Sequence, residues 1–310
     1  MSAAYSLLIG PFESFGFMRT ALVACFALAL ANGPVGTLLL LRRMSLEGDV
    51  LSHAVMPGAA LGFLYAGYSL AALSLGGFLT GVLVAGSAGL VARFRPKRPE
   101  VSLAAFYLVS LALGVIIVSA RGSNVDLMHV LFGTVLAVDV RNLLFIAIIS
   151  SAALLVLAAI YRPLAIDSFD PAFLRSVGAG GGVYRGAFLL IVVLNLVASF
   201  QAFGTLLAIG PMLLPAAAAL CWTQKIWTTI GLAVAIGMAA DYTGLLMSYY
   251  ANLPSGPAIV LAGGAMYGLS MIAAAPPWSG GKRLEDDARF SHKPAVGDRK
   301  STRLNSSHRR

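Results

Sequence analysis

A chain of 310 residues would ordinarily divide into two soluble domains, but this one is 58% hydrophobic and 11% charged, with a mean hydropathy of +0.84. Soluble domains run at about 45–50% apolar and about 25% charged, so a soluble globule is excluded, and so are disorder and a collagen-like chain. The fold class these figures predict is all-α, a polytopic transmembrane helical bundle.

The formal charge of +9 is unevenly placed. Residues 282–310 carry nine of the 22 Lys/Arg and four of the 13 Asp/Glu. No RNA- or DNA-binding motif accompanies it, so nucleic acid is excluded as a partner and membrane lipid is expected instead. Cys25 and Cys221 lie in apolar runs without CxxC spacing, which excludes a disulfide framework and reads as packing.

Residues 1–16 hold no positive cluster, and the apolar run that follows is too long for a signal core, so it is expected to be a permanent span. Windows of roughly 20 apolar residues predict spans at 17–41, 50–67, 70–92, 101–120, 142–160, 185–203, 204–222, 226–247 and 257–275. Only Gly204 and the Gly210–Pro211 pair separate the sixth from the seventh, so the expectation is about nine spans, with eight as the alternative. With the N-terminus outside, 19 of the 22 Lys/Arg fall on the inner side, leaving Arg19, Arg121 and Arg141 outside. Basic residues stay on the cytoplasmic side, which predicts N-out, C-in in a cytoplasmic (inner) membrane and favours an odd number of spans.

Two connections carry readable chemistry. Residues 121–141 form an outer loop with a short apolar segment, re-entrant or interfacial, in which Asp126 and His129 are expected to be solvated rather than metal-binding. Residues 161–184 form the longest inner loop. There Asp170 suits an N-cap, Pro171 the first helical position and Gly178 a C-cap, with Phe173, Leu174 and Val177 as apolar knobs between them. Such a helix either docks a soluble partner or packs on its own chain. The polar stretch 276–310 is expected to be a disordered cytoplasmic tail beyond a transmembrane domain at 1–275. Small-residue pairs at Gly58/Gly62, Gly77/Gly81 and Gly264/Gly268 predict close helix contacts, within one chain or between two.

Ionisable residues inside spans are costly and therefore informative. Asp49 and His53, four apart, share one helical face and suit either a transition metal or a structural hydrogen bond tying the start of the second span to a neighbour. Asp241 either lines a translocation path or is satisfied by Tyr242, Thr243 or nearby backbone. The chain has no GxxxxGK[ST] phosphate loop, no HExxH and no GxSxG. It is therefore not expected to be an enzyme, to hydrolyse ATP unaided, or to hold a cofactor.

The segment GPVGTLLLLRRMSLEGDVLSHAVMPGAALG (33–62) closely resembles the signature of the membrane permeases of metal-ion ABC importers, the zinc/manganese/iron group. The matching residues are Arg42, Arg43, Met44, Ser45, Leu46, Gly48, Asp49, Leu51, Ser52, His53, Ala54, Pro57 and Gly58. Family-like blocks recur at 126–138, 162–178, 203–219 and 244–261, so the resemblance covers roughly residues 12–275.

The resemblance implies a fold related to the vitamin-B12 and siderophore importer permeases. It also implies a second permease copy or paralogue, a cytoplasmic ATP-binding subunit and an extracytoplasmic metal-binding protein. It identifies Asp49 and His53 with the metal path and 162–178 with the segment that couples to the ATPase, although Ala172 and Leu174 depart from the family's usual Glu and Ala. The divalent ion is then the transported substrate. An importer of metal chelates such as siderophores, or a proton-coupled secondary transporter using Asp49 and Asp241, are the alternatives. Which of the three metals is carried is left open.

Overall fold

A chain this apolar has to satisfy its backbone hydrogen bonds internally, and helices do so within a single segment. The computed structural model describes residues 3–67, 69–94, 99–119, 135–169, 181–204, 207–223 and 225–274. Among these residues the regular structure is entirely helical. It comprises α1 (Ala3–Leu8), α2 (Gly10–Ser14), α3 (Gly16–Leu41), α4 (Ser45–Ala66), α5 (Leu70–Phe94) and α6 (Pro99–Ser119). A short 3-10 turn (Val135–Ala137) precedes α7 (Val140–Phe169), α8 (Gly181–Phe203), α9 (Gly210–Trp222), α10 (Ile226–Ala251) and α11 (Ser255–Ala274).

Among the described residues, six stretches are long and apolar enough to cross a membrane: Gly16–Leu41, Leu70–Ser87, Val140–Ile166, Val183–Phe203, Ile226–Ala251 and Ser255–Ala274. Each of the nine expected spans coincides with a helix, and the other three of these helices are α4, α6 and α9. Helix α4 carries Glu47, Asp49 and His53 in its first half. Helix α6 runs 21 residues, and its described apolar stretch is Ala105–Ile117. Helix α9 has 13 residues, which at 1.5 Å per residue is well short of about 30 Å of hydrocarbon.

The break expected near residue 204 is present. Helix α8 stops at Phe203, and Gly204 takes φ 80 while its N–H reaches the Phe200 carbonyl at 3.0 Å. A Cβ is disfavoured in that left-handed conformation, so glycine ends the helix. A less usual stop separates α3 from α4. Arg43 sits at φ 56, its N–H bonds Leu40 O at 3.0 Å, and the Met44 N–H bonds Leu39 O at 2.9 Å. This is the Schellman pattern with arginine in glycine's place.

The inner loop expected at 161–184 is shorter than its sequence suggests, because α7 continues as helix through Pro163 to Phe169. Proline forfeits one helical hydrogen bond there but keeps a helical φ. The next residue, Leu164, is fully buried, and its carbonyl accepts from Arg42 Nη1 at 3.1 Å. The short helix expected over Asp170–Gly178, the pair Asp126–His129 and the tail from 276 all lie outside the described residues.

Helix α4 packs against α5 and α6, α3 against α7, α9 and α10, and α8 against α7 and α5. Small residues set the closest approaches. A Cβ on Gly58 would strike the Gly76 carbonyl, and one on Gly62 the Ala72 carbonyl, so the first of the small-residue pairs seats α4 on α5 within this chain. Gly77 and Gly81 face Val55 and Val193, whereas Gly264 and Gly268 meet nothing within 4 Å.

Candidate metal-ion site

The site is built from the start of α4. Once the Arg43 turn reverses the chain, the helical period puts Asp49, His53 and Met56 on one face. The expected pairing is present: His53 Nε2 lies 3.9 Å from Asp49 Oδ1. That is too long for a hydrogen bond.

The two ends of the pair differ in access. The Asp49 side chain is 44% exposed and the His53 side chain 9%. His53 Nδ1 is buried without a hydrogen-bond partner among the described residues. Ser52 on the same turn is committed elsewhere, its hydroxyl donating to the Asp49 carbonyl at 2.7 Å. One carboxylate and one imidazole nitrogen form a mixed O/N donor set suited to zinc, manganese or iron. No group of three or more His, Cys, Asp or Glu converges among the described residues.

Residues that sequence reasoning passed over frame this pair. Tyr107 of α6 stands edge-on to the His53 ring. Arg42, taken from sequence only as a topology marker, clasps α7 through the Leu164 carbonyl and lies 5.7 Å from the centre of the Phe188 ring. Glu47 pairs with Arg185 of α8. Deeper in the bundle, Asn195 Nδ2 donates to Asn32 Oδ1 at 2.6 Å, joining α8 to α3. Two asparagines within apolar runs were the sequence signal for that contact.

Asp241 is elsewhere. It belongs to α10, which packs on α3 and α9, and it is not brought to Asp49 or His53. It is 3% exposed and has no hydrogen-bond partner among the described residues. The neighbours expected to satisfy it are engaged otherwise. Tyr242 donates to the Leu8 carbonyl at 2.8 Å, and Thr243 to the Ala239 carbonyl at 2.8 Å. The carboxyl borders a cavity of about 10 Å³ together with Gly210, Pro211, Pro215, Gly237 and Gly263. Pro215 has no N–H to offer the carbonyl of Pro211 one turn earlier, so the α9 backbone loses a helical bond beside this cavity. Cys25 is buried and Cys221 donates to the Ala217 carbonyl at 3.5 Å, in keeping with packing roles.

Comparison with known proteins supplies the wider frame. The family described as "ABC 3 transport family" matches residues 14–274. The chain is 31% identical over 266 residues to the manganese import system permease protein ScaB of Streptococcus parasanguinis, covering 86% of this chain and 94% of that one. It is 30% identical over 260 residues to the manganese transport system membrane protein MntC of Halalkalibacterium halodurans, covering 84% and 88%. Among solved structures, PsaBC from Streptococcus pneumoniae in complex with Fab superposes with a TM-score of 0.77 at 28% identity, covering 90% of this chain and 98% of that chain.

Proposed function

The chain belongs to the ABC 3 transport family, and from that premise we infer that it is the membrane permease of an ATP-driven importer of divalent transition-metal ions. The observation that carries this reading is near-full-length similarity to permeases named for manganese import. The chain itself has no phosphate-binding loop, so energy enters through a separate cytoplasmic ATP-binding subunit.

In this reading an extracytoplasmic binding protein hands the ion to the outer mouth, and Asp49 with His53 gives it a transient station. Two side-chain ligands, one of them open to solvent, make a hold firm enough to receive an ion and loose enough to release it. Water, backbone or a second permease copy completes the coordination. The segment 170–178, whose sequence offers Asp170 and Pro171 as a helix start, Phe173, Leu174 and Val177 as apolar knobs and Gly178 as a stop, seats on the ATPase. ATP binding there shifts the bundle between outward and inward access, so this subunit contributes differential contacts in two states. Nine crossings with the N-terminus outside and the C-terminus inside fit the placement of the basic residues, and the bundle is of the kind found in vitamin-B12 and siderophore permeases. Asp241 is a second polar point on the route.

The deciding experiment is ATP-dependent uptake by the complete transporter in proteoliposomes. Manganese, zinc and iron compete in turn, with a siderophore chelate as a separate arm. Bare-ion competition that Asp49→Ala and His53→Ala both abolish supports the reading. Chelate-only competition, or uptake driven by a proton gradient without the ATPase, overturns it.

A further inference from the structure

A histidine that ligates a metal is ordinarily held in place through its other ring nitrogen, which hydrogen-bonds a carboxylate, a carbonyl or water; that contact fixes the ring and raises its basicity. His53 lacks it among the described residues. Nδ1 is buried and unpartnered, and Nε2 is 3.9 Å from Asp49. Hydrogen bonding therefore leaves the ring free to turn, and packing has to decide how it stands.

The packing comes from α6. Its outward side chains are Leu108, Val109, Leu113, Val115 and Ile116, all exposed. Its inward stripe is Tyr107, Ser110 and Gly114, at the i, i+3, i+7 spacing of one helical face. That stripe lies on the face of α4 that carries His53 and Met56. The Tyr107 and His53 rings are 4.6 Å apart at 85°, an edge-to-face arrangement that aromatic quadrupoles favour. A Cβ on Gly114 would stand 3.2 Å from the Met56 sulfur, so the glycine is what lets α6 come this close.

We propose that Tyr107 is a positioning residue for the metal station: its ring, in place of the usual hydrogen bond, holds the His53 imidazole with Nε2 toward Asp49. The proposal rests on the Asp49/His53 reading of the site. A ligand steered by ring contact gains orientation without the basicity that a carboxylate behind it would add. It therefore binds an ion more weakly than a fully supported histidine does, as a transit station requires.

The test uses the assembled transporter, with its ATPase, and Mn²⁺ as the probe. Tyr107→Phe keeps the ring and is expected to keep the KM for Mn²⁺ uptake within about twofold. Tyr107→Leu is expected to raise KM by about tenfold, the lower end of what losing a ligand's supporting partner does, with uptake at saturating Mn²⁺ and basal ATP hydrolysis retained. Tyr107→Met serves the same purpose if the leucine variant does not assemble. Pulsed electron-spin measurements on bound Mn²⁺ are expected to show imidazole nitrogen coupling in the wild type and Tyr107→Phe, and to lose it in Tyr107→Leu and in His53→Ala. If His53→Ala loses the coupling while Tyr107→Leu keeps both it and a wild-type KM, the positioning role is overturned and the site stands. If His53→Ala itself changes neither, the station is overturned and the role of Tyr107 falls with it.

Discussion

The two acidic residues that stand out in the sequence, Asp49 and Asp241, have opposite settings. Asp49 is half exposed at the opening of α4, with an imidazole one turn away and an aromatic wall beyond it. Asp241 is buried between α9, α10 and α11, beside prolines and glycines, with no hydrogen-bond partner among the described residues. A carboxylate that water can reach, paired with a second donor, can take an ion and give it up. A buried carboxyl beside a water-sized cavity has room for one small species. The difference teaches that isolation in an apolar run, the signal that singled out both residues from sequence, does not distinguish a station from an interior polar point. Neighbouring side chains and access do.

The sharpest way to break this comparison is at α4. His53→Ala is expected to cut metal uptake at least about tenfold, since even a lost supporting contact behind a ligand costs that much, and Asp49→Ala is expected to do the same. Uptake at wild-type rates by both, in complexes that assemble normally, would remove the contrast. Asp241→Asn preserves shape and a hydrogen-bonding group while removing the ionisable one. Uptake is expected to fall roughly threefold to tenfold, or about 0.7–1.4 kcal/mol at 1.4 kcal/mol per tenfold. A loss equal to that of His53→Ala would make the two acids equivalent. An unchanged rate would take Asp241 off the route altogether.

A third polar site calibrates the other two, because it is buried but uncharged. Asn195 and Asn32 are 0% and 1% exposed, and one hydrogen bond joins them. Asn32 Nδ2 and Asn195 Oδ1 are left without partners among the described residues. Polar contacts between membrane helices average about 0.6 kcal/mol and reach about 1.7. Asn195→Leu is accordingly expected to lower thermal stability in detergent by that amount, with the metal KM unchanged. A shift in KM would mean that this pair belongs to the route as well.

Much of this was legible beforehand. Charge scarcity exposed Asp49 and His53, and their four-residue spacing placed them on one face, as found. Gly204 marked the α8–α9 break, and its positive φ is the reason. What stayed hidden depends on contacts distant in sequence. Tyr107 reaches His53 from another helix, and Arg42 meets a carbonyl 122 positions away. Local periodicity registers neither. The extension of α7 through Pro163 was hidden for the same reason, since the packing and the Arg42 clasp that hold it come from other helices. The stretch at 161–169 read as loop because proline and polarity are loop signals wherever tertiary contacts do not override them.

The smallest expected effect lies beside the site, where Glu47 of α4 pairs with Arg185 of α8. The Arg185 side chain is 46% exposed, so solvent and salt screen the attraction. Exposed pairs are worth about 0.2–1 kcal/mol, and a double-mutant cycle with Glu47→Gln and Arg185→Gln is expected to fall in that range. The coupling should shrink as salt is raised, because nearly half of the arginine side chain is exposed. Glu47 lies two residues before Asp49 on the same helix, so the cycle also tests whether the α4–α8 contact merely fastens the start of α4 or tunes the station. Fastening alone changes melting temperature and leaves the metal KM where it was. A KM that follows the coupling energy would extend the site from the α4–α6 wall to Arg185, making the open acid the centre of a charged network rather than one half of an isolated pair.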